Sequence, residues 1–337
     1  MLPFLKLPDK EQREILRISQ AQLNIAESIL EKDVWVSYVL DLIFNRLALG
    51  HRFMFKGGTS LSKCYGMINR FSEDIDLSLN MEELGFGGSN SPENTLSKTQ
   101  RKKRLDELKE AGNRYTEETL FPSLQEKITE EIPVKSDNIY LEKDDSDALN
   151  IIVEYDSQCS DNTYNNYFEP KIRIEPGAKA RHKPTENVQI FPLIGDSIPE
   201  FKTKFTVKVL IPARTFWEKA TYIHVVNNHN NPEKFRIKVS RHLYDLAIMA
   251  DHPEGKAALN DFDLLSQVVE HKSLYFASGW ADYSGAKPGT IQLMPPPELM
   301  DAYKSDYKAM DLMFYQDPPA FDELIAKIQQ IEKKINS

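Results

Sequence analysis

The sequence is poor in cysteine and contains no long apolar run. Its 337 residues include only two cysteines, Cys64 and Cys159, which cannot form a disulfide scaffold and lack the spacing of a zinc site. No apolar run approaches the roughly 20 residues of a membrane-spanning helix. The first residues, MLPFLKLPDKEQRE, lack the basic start and apolar centre of a signal peptide. We therefore expect a cytoplasmic protein with no membrane segment.

Several catalytic signatures are also missing. The seven histidines show no zinc-ligand spacing and no H-E-x-x-H motif. The pattern G-x-x-x-x-G-K-[ST] does not occur, which argues against a P-loop ATPase, and GTSLS is not the G-x-S-x-G turn of a serine hydrolase. A net charge of −9 argues against a surface that is basic throughout, although it leaves room for a local basic groove.

The stretch FKGGTSLSKCYGMINRFSEDIDLSL (55–79) places a glycine turn directly after a short apolar run. A strand that reaches Gly57 and Gly58 and continues into a short helix is the natural interpretation. Glycines let the backbone approach a ligand closely. The helix start, with the hydroxyls of Thr59 and Ser60, offers hydrogen-bond donors to an anion. This turn is therefore predicted to hold phosphate groups.

The same stretch ends in an acidic pair. Polar and apolar residues alternate in DIDLSL, which predicts a strand with Asp74 and Asp76 on one face. Two neighbouring carboxylates repel each other unless a cation lies between them, and hard oxygen ligands suit Mg²⁺. Either motif alone is common, but the two in this order are much more specific. Together they predict a nucleoside triphosphate bound with Mg²⁺.

The order strand, G-G, helix, strand, D-x-D resembles the nucleotidyltransferase superfamily of the DNA polymerase beta type. A closer resemblance is to the AbiEii/AbiGii toxin family, the toxin half of type IV toxin–antitoxin and abortive-infection systems. The matching segments are EKDVWVSYVL (31–40), the stretch 55–79, RTFWEKATYIH (214–224) and RHLYDLAIM (241–249), with weaker support from FASGWADY and DYKAMDLMF. The resemblance covers nearly the whole chain apart from an insert around 85–137.

The resemblance also implies catalytic roles for Lys219 and Asp245, which match residues of the family's third and fourth motifs. Lys219 would offset the charge of the triphosphate, and Asp245 would join the base or metal network or orient it. The residues alone leave both roles open. Lys219 could be solvated on a helix where Arg214 and Glu218 pair at i,i+4. Asp245 could pair with Arg241 in the same way.

Members of the superfamily often add a third carboxylate from a neighbouring strand. Glu175, at the end of the strand-like run KIRIEPG, is our first choice, and Glu154 of NIIVEYD remains an alternative. An ordinary exposed carboxylate at the sheet rim fits the position of Glu175 equally well. With Glu175, the predicted metal ligands are Asp74, Asp76 and Glu175, for one or two Mg²⁺ ions.

Other charged residues near these motifs have two interpretations each. Lys56 and Arg70 flank the turn and the short helix, and each could contact phosphate or extend along the surface. Asp33 matches an acidic-basic motif of the family, but helix capping would explain it equally well.

Three basic clusters stand out against the acidic composition. QRKKR (100–104) is expected to form a solvated helix face. KARHK (179–183) and EKFRIKVSR (233–241) lie closer to the predicted site in sequence order. A local basic groove there would let one end of an RNA approach.

The order of elements predicts an α+β fold. We expect residues 1–211 to form a nucleotidyltransferase domain with a mixed β-sheet, N-terminal helices and a charged helical insert near 85–137. Residues 212–337 should form a mostly helical C-terminal domain, with the active site in the cleft between the two. The strand-like runs after residue 138 look antiparallel, because turns rather than helices link them.

These observations predict a Mg-dependent nucleotidyltransferase toxin that transfers NMP from an NTP to an acceptor hydroxyl. The resemblance implies the tRNA 3′ end as acceptor and a cognate antitoxin as partner, in toxin–antitoxin or phage-defence systems. Transfer to a protein or small molecule is one alternative. A non-catalytic NTP-binding interaction module is another, although the intact D-x-D pair argues against it. No residue pattern selects the nucleobase.

Overall fold

The computed structural model describes residues 1–72, 74–95, 97–159, 164, 169–229, 238–278 and 281–337. Two compact units make up the chain: unit 1 comprises Met1–Cys64 and Phe71–Leu210, and unit 2 comprises Tyr65–Arg70 and Ile211–Ser337. Within the described ranges, every helix falls short of the length or the apolar character needed to cross a membrane.

A seven-stranded mixed sheet forms the centre of unit 1, with strand order β3-β4-β5-β2-β1-β7-β6. Its strands are β1 (Phe53–Lys56), β2 (Asp74–Leu79), β3 (Ile139–Lys143), β4 (Leu149–Glu154), β5 (Lys171–Gly177), β6 (Thr185–Ile190) and β7 (Phe205–Leu210). The predicted α+β class with a mixed sheet is confirmed. The β3–β4 and β4–β5 pairs are antiparallel as expected, and β6, a strand that the sequence did not indicate, pairs antiparallel with β7. However, β5 pairs with β2 and β7 with β1 in parallel, so the later strands add to both sides of the antiparallel β1–β2 pair.

One face of the sheet is apolar, whereas the other, called the polar face below, carries charged side chains together with the buried Met54 and Ile152. Alternation along each strand directs a set of fully buried apolar side chains to the apolar face; they include Phe53, Phe55, Ile75, Leu77, Ile172, Ile174, Val207 and Val209. The strand registers place the charged and hydroxyl side chains on the other side, namely Lys56, Asp74, Asp76, Ser78, Arg173, Glu175 and Lys208. The predicted site residues of β2 and β5 therefore share the polar face.

The helices of unit 1 are α1 (Leu2–Leu5), α2 (Asp9–Leu23), α3 (Glu27–Asp41), α4 (Gly57–Lys63), α5 (Lys98–Tyr115), α6 (Phe121–Glu131) and α7 (Ile194–Ser197). Helix α3 is buried over nearly its whole length and packs on β5 and β7. Helix α4 follows β1 without an intervening loop, so it starts at Gly57 rather than at the expected Thr59.

The charged insert is a nearly continuous helix in which one turn of π-helix, Thr116–Leu120, joins α5 to α6. Residues four apart along it are buried, namely Leu108, Gly112, Thr116, Leu120, Leu124 and Ile128. This stripe packs towards β3, β4 and β5. The insert is therefore anchored to the sheet along one side and is not solvated all round.

Unit 2 is mostly helical, as expected for the C-terminal half. Its helices are α8 (Pro212–Asn227), α9 (Ser240–Met249), α10 (Pro253–Ala258), α11 (Phe262–Tyr275), α12 (Met300–Lys308) and α13 (Phe321–Asn336). Helix α8 is central, because α9, α10 and α11 all pack on it. Its apolar stripe of Phe216, Ala220 and Ile223 is fully buried. Most of the third basic cluster, residues 233–237, lies outside the described residues.

Candidate active site

The glycine turn lies directly against the acidic strand. Gly57 has φ +80°, a left-handed backbone conformation that residues other than glycine rarely adopt. A Cβ atom at this position would collide with Asp76 Oδ2 and lie 2.6 Å from Asp76 Cγ. The bare glycine backbone thus makes room for the Asp76 carboxylate, and the two predicted motifs meet in space.

The two hydroxyls after the glycines are used inside the protein. Thr59 Oγ1 donates to the backbone oxygens of Ser72, at 3.0 Å, and Asp74, at 2.5 Å. Ser60 Oγ donates to the backbone oxygen of Gly57 at 2.8 Å. Both residues are buried. These bonds fix α4 to the start of β2 and hold the turn closed, while their predicted contact with phosphate stays a prediction.

The strand registers place Asp76 between a cation and a second carboxylate. In the β1–β2 pair Asp76 is opposite Lys56, and in the parallel β2–β5 pair it is opposite Glu175. Lys56 Nζ lies 3.3 Å from Asp76 Oδ1, and both side chains are one-quarter exposed. Asp74 is opposite Arg173 in the same register. The pairing explains how Glu175 comes to face the D-x-D motif.

The ionisation of Glu175 reflects this crowding. Burial, followed by the negative charges of Asp76 and Asp74, raises the pKa of Glu175 to about 8, against smaller opposing effects of Lys56 and Arg173. The alternative, Glu154, lies one strand further away on β4. Its carboxylate accepts a hydrogen bond from the Tyr140 hydroxyl at 2.7 Å. Glu175 is therefore the carboxylate that shares the neighbourhood of Asp74 and Asp76.

The donor set suits a hard divalent cation. As they stand, no three carboxylate, imidazole or thiolate groups among the described residues converge tightly enough to enclose an ion. Burial is the main cause of the raised pKa of Glu175, and the repulsion from Asp76 and Asp74 that adds to it is the kind that a cation among carboxylates relieves. Asp74, Asp76 and Glu175 offer only oxygen donors, which Mg²⁺ prefers.

A buried ion pair fixes the position of α4. Lys63 Nζ, at the end of α4, lies 2.6 Å from Asp33 Oδ1, and both side chains are 5% exposed. Asp33 Oδ2 also accepts from the backbone N–H of Leu193 at 2.6 Å. Asp33 lies in the middle of α3, so the helix-capping interpretation of this residue is wrong. Its contacts instead hold the helix that follows the glycine turn.

In unit 2, Asp245 is held by two cations. Arg70 donates Nε–H to Asp245 Oδ1 at 2.8 Å and Nη2–H to Oδ2 at 2.7 Å. Lys219 Nζ lies 2.7 Å from the same Oδ2. Burial alone would raise the pKa of Asp245, but Arg70 and Lys219 together bring it well below its usual value. This fully buried aspartate is therefore ionised, with both of its oxygens engaged.

Lys219 sits at the more accessible end of this cluster, with 8% of its side chain exposed. Burial lowers the pKa of Lys219, and Asp245 opposes this effect while the nearby Arg70 adds to it. His242 Nδ1 lies 3.5 Å from Lys219 Nζ, and burial followed by the charge of Lys219 keeps the pKa of His242 well below its usual value. Arg70, Lys219 and Asp245 thus leave one positive charge in excess.

The structure separates the alternatives that the sequence left open in this unit. Arg70 is 1% exposed and binds Asp245, so of its two interpretations the surface position is wrong. The predicted i,i+4 pair of Arg214 and Glu218 is present at 3.1 Å. Lys219 is not solvated but paired with Asp245. No short-range pattern indicated that Arg70, far away in the sequence, would complete this cluster.

A glycine turn against paired strand aspartates, with a glutamate on the next strand, is the arrangement expected of a nucleotidyltransferase. Residues 39–327 match the family model described as the nucleotidyl transferase AbiEii toxin of a type IV toxin–antitoxin system. The chain belongs to this family. It is thus a nucleotidyltransferase toxin, and membership implies an NTP substrate, a divalent metal and an antitoxin partner.

Among solved structures, the chain is similar to MenT4, a nucleotidyltransferase toxin from Mycobacterium tuberculosis H37Rv. The two share 18% sequence identity over 98% of each chain, with a TM-score of 0.39, which is too low to support an argument about this chain. A comparison with curated proteins gave no significant match.

Proposed function

We propose that this toxin transfers NMP from a Mg²⁺-bound NTP to the 3′-terminal hydroxyl of tRNA and releases pyrophosphate. The observation that supports this reaction best is the contact between Gly57 and Asp76. A turn suited to phosphate and a carboxylate suited to a metal lie side by side, and an NTP bound with Mg²⁺ requires both features together.

In this proposal Asp74, Asp76 and Glu175 hold Mg²⁺, and Lys56 balances Asp76 until the nucleotide binds. When bound, Mg²⁺ neutralises charge on the phosphates and makes the acceptor hydroxyl a better nucleophile. Gly57 and Gly58 expose backbone N–H groups to the β- and γ-phosphates. The hydroxyls of Thr59 and Ser60 donate to backbone oxygens. These two residues would therefore hold the shape of the phosphate-binding turn as well as contact the phosphates.

Lys219 is proposed to supply positive charge to the triphosphate, and Asp245 to orient Lys219. Both oxygens of Asp245 accept hydrogen bonds from Arg70 and Lys219, which favours an orienting role over that of a general base. These two roles are supported by the family motifs that Lys219 and Asp245 match. The excess positive charge of the cluster is in keeping with a function towards an anion.

The tRNA acceptor is the finer part of the proposal and is supported by the resemblance to toxins that modify the tRNA acceptor end. Transfer to a protein or a small molecule would use the same carboxylates. In the cell, the modification would inhibit growth or limit phage infection until a cognate antitoxin neutralises it.

The test is to incubate the purified chain with each α-labelled NTP, Mg²⁺ and bulk tRNA, and in parallel with total protein. We expect label in tRNA, and a loss of at least about 100-fold in Asp74→Asn and Asp76→Asn, because each removes a metal-binding charge. Asp137→Asn, at an exposed carboxylate of unit 1, is the matched control. Label in protein and none in tRNA would refute the acceptor, and full activity of both variants would refute the site.

A further inference from the structure

We propose that a basic strip in unit 1 binds the phosphate backbone of the nucleic-acid acceptor and guides its end towards the carboxylates. This inference rests on the proposed function and adds the surface that the acceptor uses. The basic strip is defined by Arg104 of α5, by Arg181 and Lys183 after β5, and by Lys208 of β7.

Two basic clusters that are distant in sequence are joined through one loop. Arg104 Nη1 donates to Asn90 Oδ1 at 3.2 Å. Arg181 Nη2 donates to Glu93 Oε1 at 2.8 Å. Asn90 and Glu93 belong to two successive 3₁₀ turns, Gly88–Asn90 and Pro92–Asn94. The clusters 100–104 and 179–183 therefore lie on the same surface, which the sequence alone did not indicate.

The strip continues to the strand that carries the acidic pair. His182 Nε2 lies 3.0 Å from Ser78 Oγ. Ser78 follows Asp76 by two residues on the polar face of β2, so their Cα atoms are about 7 Å apart. Contacts thus run without a break from Arg104, through the loop and Arg181, to a position beside the predicted metal ligands.

Lys208 completes the strip on the other side of Ser78. Ser78 pairs with Met54 of β1, and the pairing of Phe55 with Val209 puts Met54 beside Lys208 on the polar face. Adjacent strands are about 4.8 Å apart, so the backbones of Ser78 and Lys208 are separated by about 10 Å. A long lysine side chain spans much of this distance and can reach a phosphate next to His182.

Positive charge along the strip is only partly neutralised, although the whole chain has a net charge of −9. Arg181 pairs with Glu93 at 2.8 Å, and Arg104 lies 3.8 Å from Glu107. Lys183 and Lys208 form no ion pair with any residue that the structure describes. Burial, and after it the charge of Lys208, lowers the pKa of His182 to about 4, so His182 is neutral at pH 7 and Lys208 carries the positive charge beside it.

The ligand that fits this arrangement is a polyanion with a reactive hydroxyl at its end. The negative charge of Asp74 and Asp76 at the site repels any phosphate that is not bound to a metal. An acceptor whose backbone carries one charge per nucleotide therefore gains from cations spaced along its approach. A nucleic-acid strand meets this description. An acidic protein would use the same cations without needing to reach Asp74 and Asp76.

The experiment measures binding of bulk tRNA to the full chain at several salt concentrations without NTP. The strip variant is Arg104→Gln, Lys183→Gln, Lys208→Gln. Its matched control is Lys6→Gln, Lys10→Gln, Lys135→Gln, at three exposed lysines elsewhere in unit 1 with the same change in net charge. If the strip binds phosphates, the strip variant loses at least tenfold in affinity at about 0.1 M salt. The slope of log K against log salt becomes shallower by about 0.7–0.9 per lost contact.

The inference is overturned if the two triple variants bind tRNA alike, or if the wild type does not bind tRNA. It is also overturned if the strip variant loses binding of poly-glutamate but keeps tRNA binding, which would assign the strip to an acidic protein. Transfer from labelled NTP is measured in parallel, so that failure of this inference can be told apart from failure of the proposed function. Transfer to tRNA by the wild type with an unchanged salt slope in the strip variant refutes the strip alone, whereas absence of transfer by the wild type refutes the proposed function.

Discussion

Gly57 and Asp76 occupy adjoining space, and a methyl group on the glycine would overlap the aspartate carboxylate. This relationship couples two motifs that come from different elements, the turn after β1 and the middle of β2. It also makes Gly57, the first glycine of the pair, a steric requirement of the Asp76 carboxylate rather than only a flexible turn residue.

The first prediction compares Gly57→Ala with Gly85→Ala. Both glycines have similar positive φ angles, +80° and +84°, but a Cβ at Gly85 meets no atom within 4 Å. Gly85→Ala should cost about 1–2 kcal/mol of unfolding free energy for the left-handed backbone and leave transfer intact. Gly57→Ala should cost more and reduce transfer at least about 100-fold, because it displaces Asp76. Urea denaturation and nucleotide transfer measure the two effects, and equal behaviour of the two variants would contradict the prediction.

The second prediction concerns the third carboxylate. Glu175→Gln should abolish most of the nucleotide transfer, because it removes the carboxylate opposite Asp76 that would bind the metal in its ionised form. It should not destabilise the metal-free fold, since burial and like charges already disfavour ionisation of Glu175 there. Glu154→Gln should keep transfer within a few fold, because it alters only the hydrogen bond with Tyr140. Transfer rates and melting temperatures of both variants check this prediction. A fully active Glu175→Gln would exclude Glu175 from the site.

The third prediction concerns the buried pair of Arg70 and Asp245. Asp245→Ala leaves two buried cations without their counterion and should lower the free energy of unfolding by about 3–5 kcal/mol. Arg70→Met should also be strongly destabilising, and combining Arg70→Met with Asp245→Leu should cost less than the sum of the single changes.

Urea denaturation of the single and double variants measures these losses. Asp251→Ala is the control, because Asp251 forms an exposed pair with Lys327 in the same unit and should cost at most about 1 kcal/mol. Strict additivity of Arg70→Met and Asp245→Leu would show that the pair does not act as a unit.

The fourth prediction is a pH dependence of stability. In the folded protein the pKa of His182 is about 4, whereas an unfolded histidine titrates near its usual value of 6.5. The unfolded chain therefore binds this proton first as the pH falls. Stability from neutral His182 is fully present above pH 6.5 and is lost between pH 6.5 and 4, by about 1–3 kcal/mol.

Unfolding free energies at pH 7.5 and 4.5 for the wild type and His182→Gln measure this contribution. The variant should show a flatter profile, and His51→Gln, at an exposed histidine, should retain the wild-type profile. If His182→Gln loses as much stability on acidification as the wild type, another group is responsible.

The local part of the site could be predicted from the sequence. The alternation in DIDLSL and the glycine pair after FMF are short-range signals, and the strand, the turn and the shared face of Asp74 and Asp76 follow from them. The choice of Glu175 needed the register of β2 against β5, which depends on long-range pairing. The positions of Glu175 and Glu154 within their own strands therefore could not show which of the two is the third carboxylate.

Other features were missed for identifiable physical reasons. The buried stripe of the insert includes Gly112 and Thr116, so it has little hydrophobic periodicity even though it packs on the sheet. Strand β6, TENVQI, is an edge strand with a mostly polar sequence, and its pairing with β7 defines it. The ion pair of Arg70 with Asp245 joins residues that no local pattern relates.

The assignment of Tyr65–Arg70 to unit 2 has a practical consequence. The polypeptide departs from unit 1 after α4 and returns just before β2, so the halves are not consecutive pieces of sequence. A truncated fragment ending at Leu210 would retain Arg70 but lack Asp245, its counterion. A fragment that contains only the sheet would thus expose the Arg70 guanidinium group or leave it buried without its counterion. Studies of this toxin are therefore better done on the intact chain.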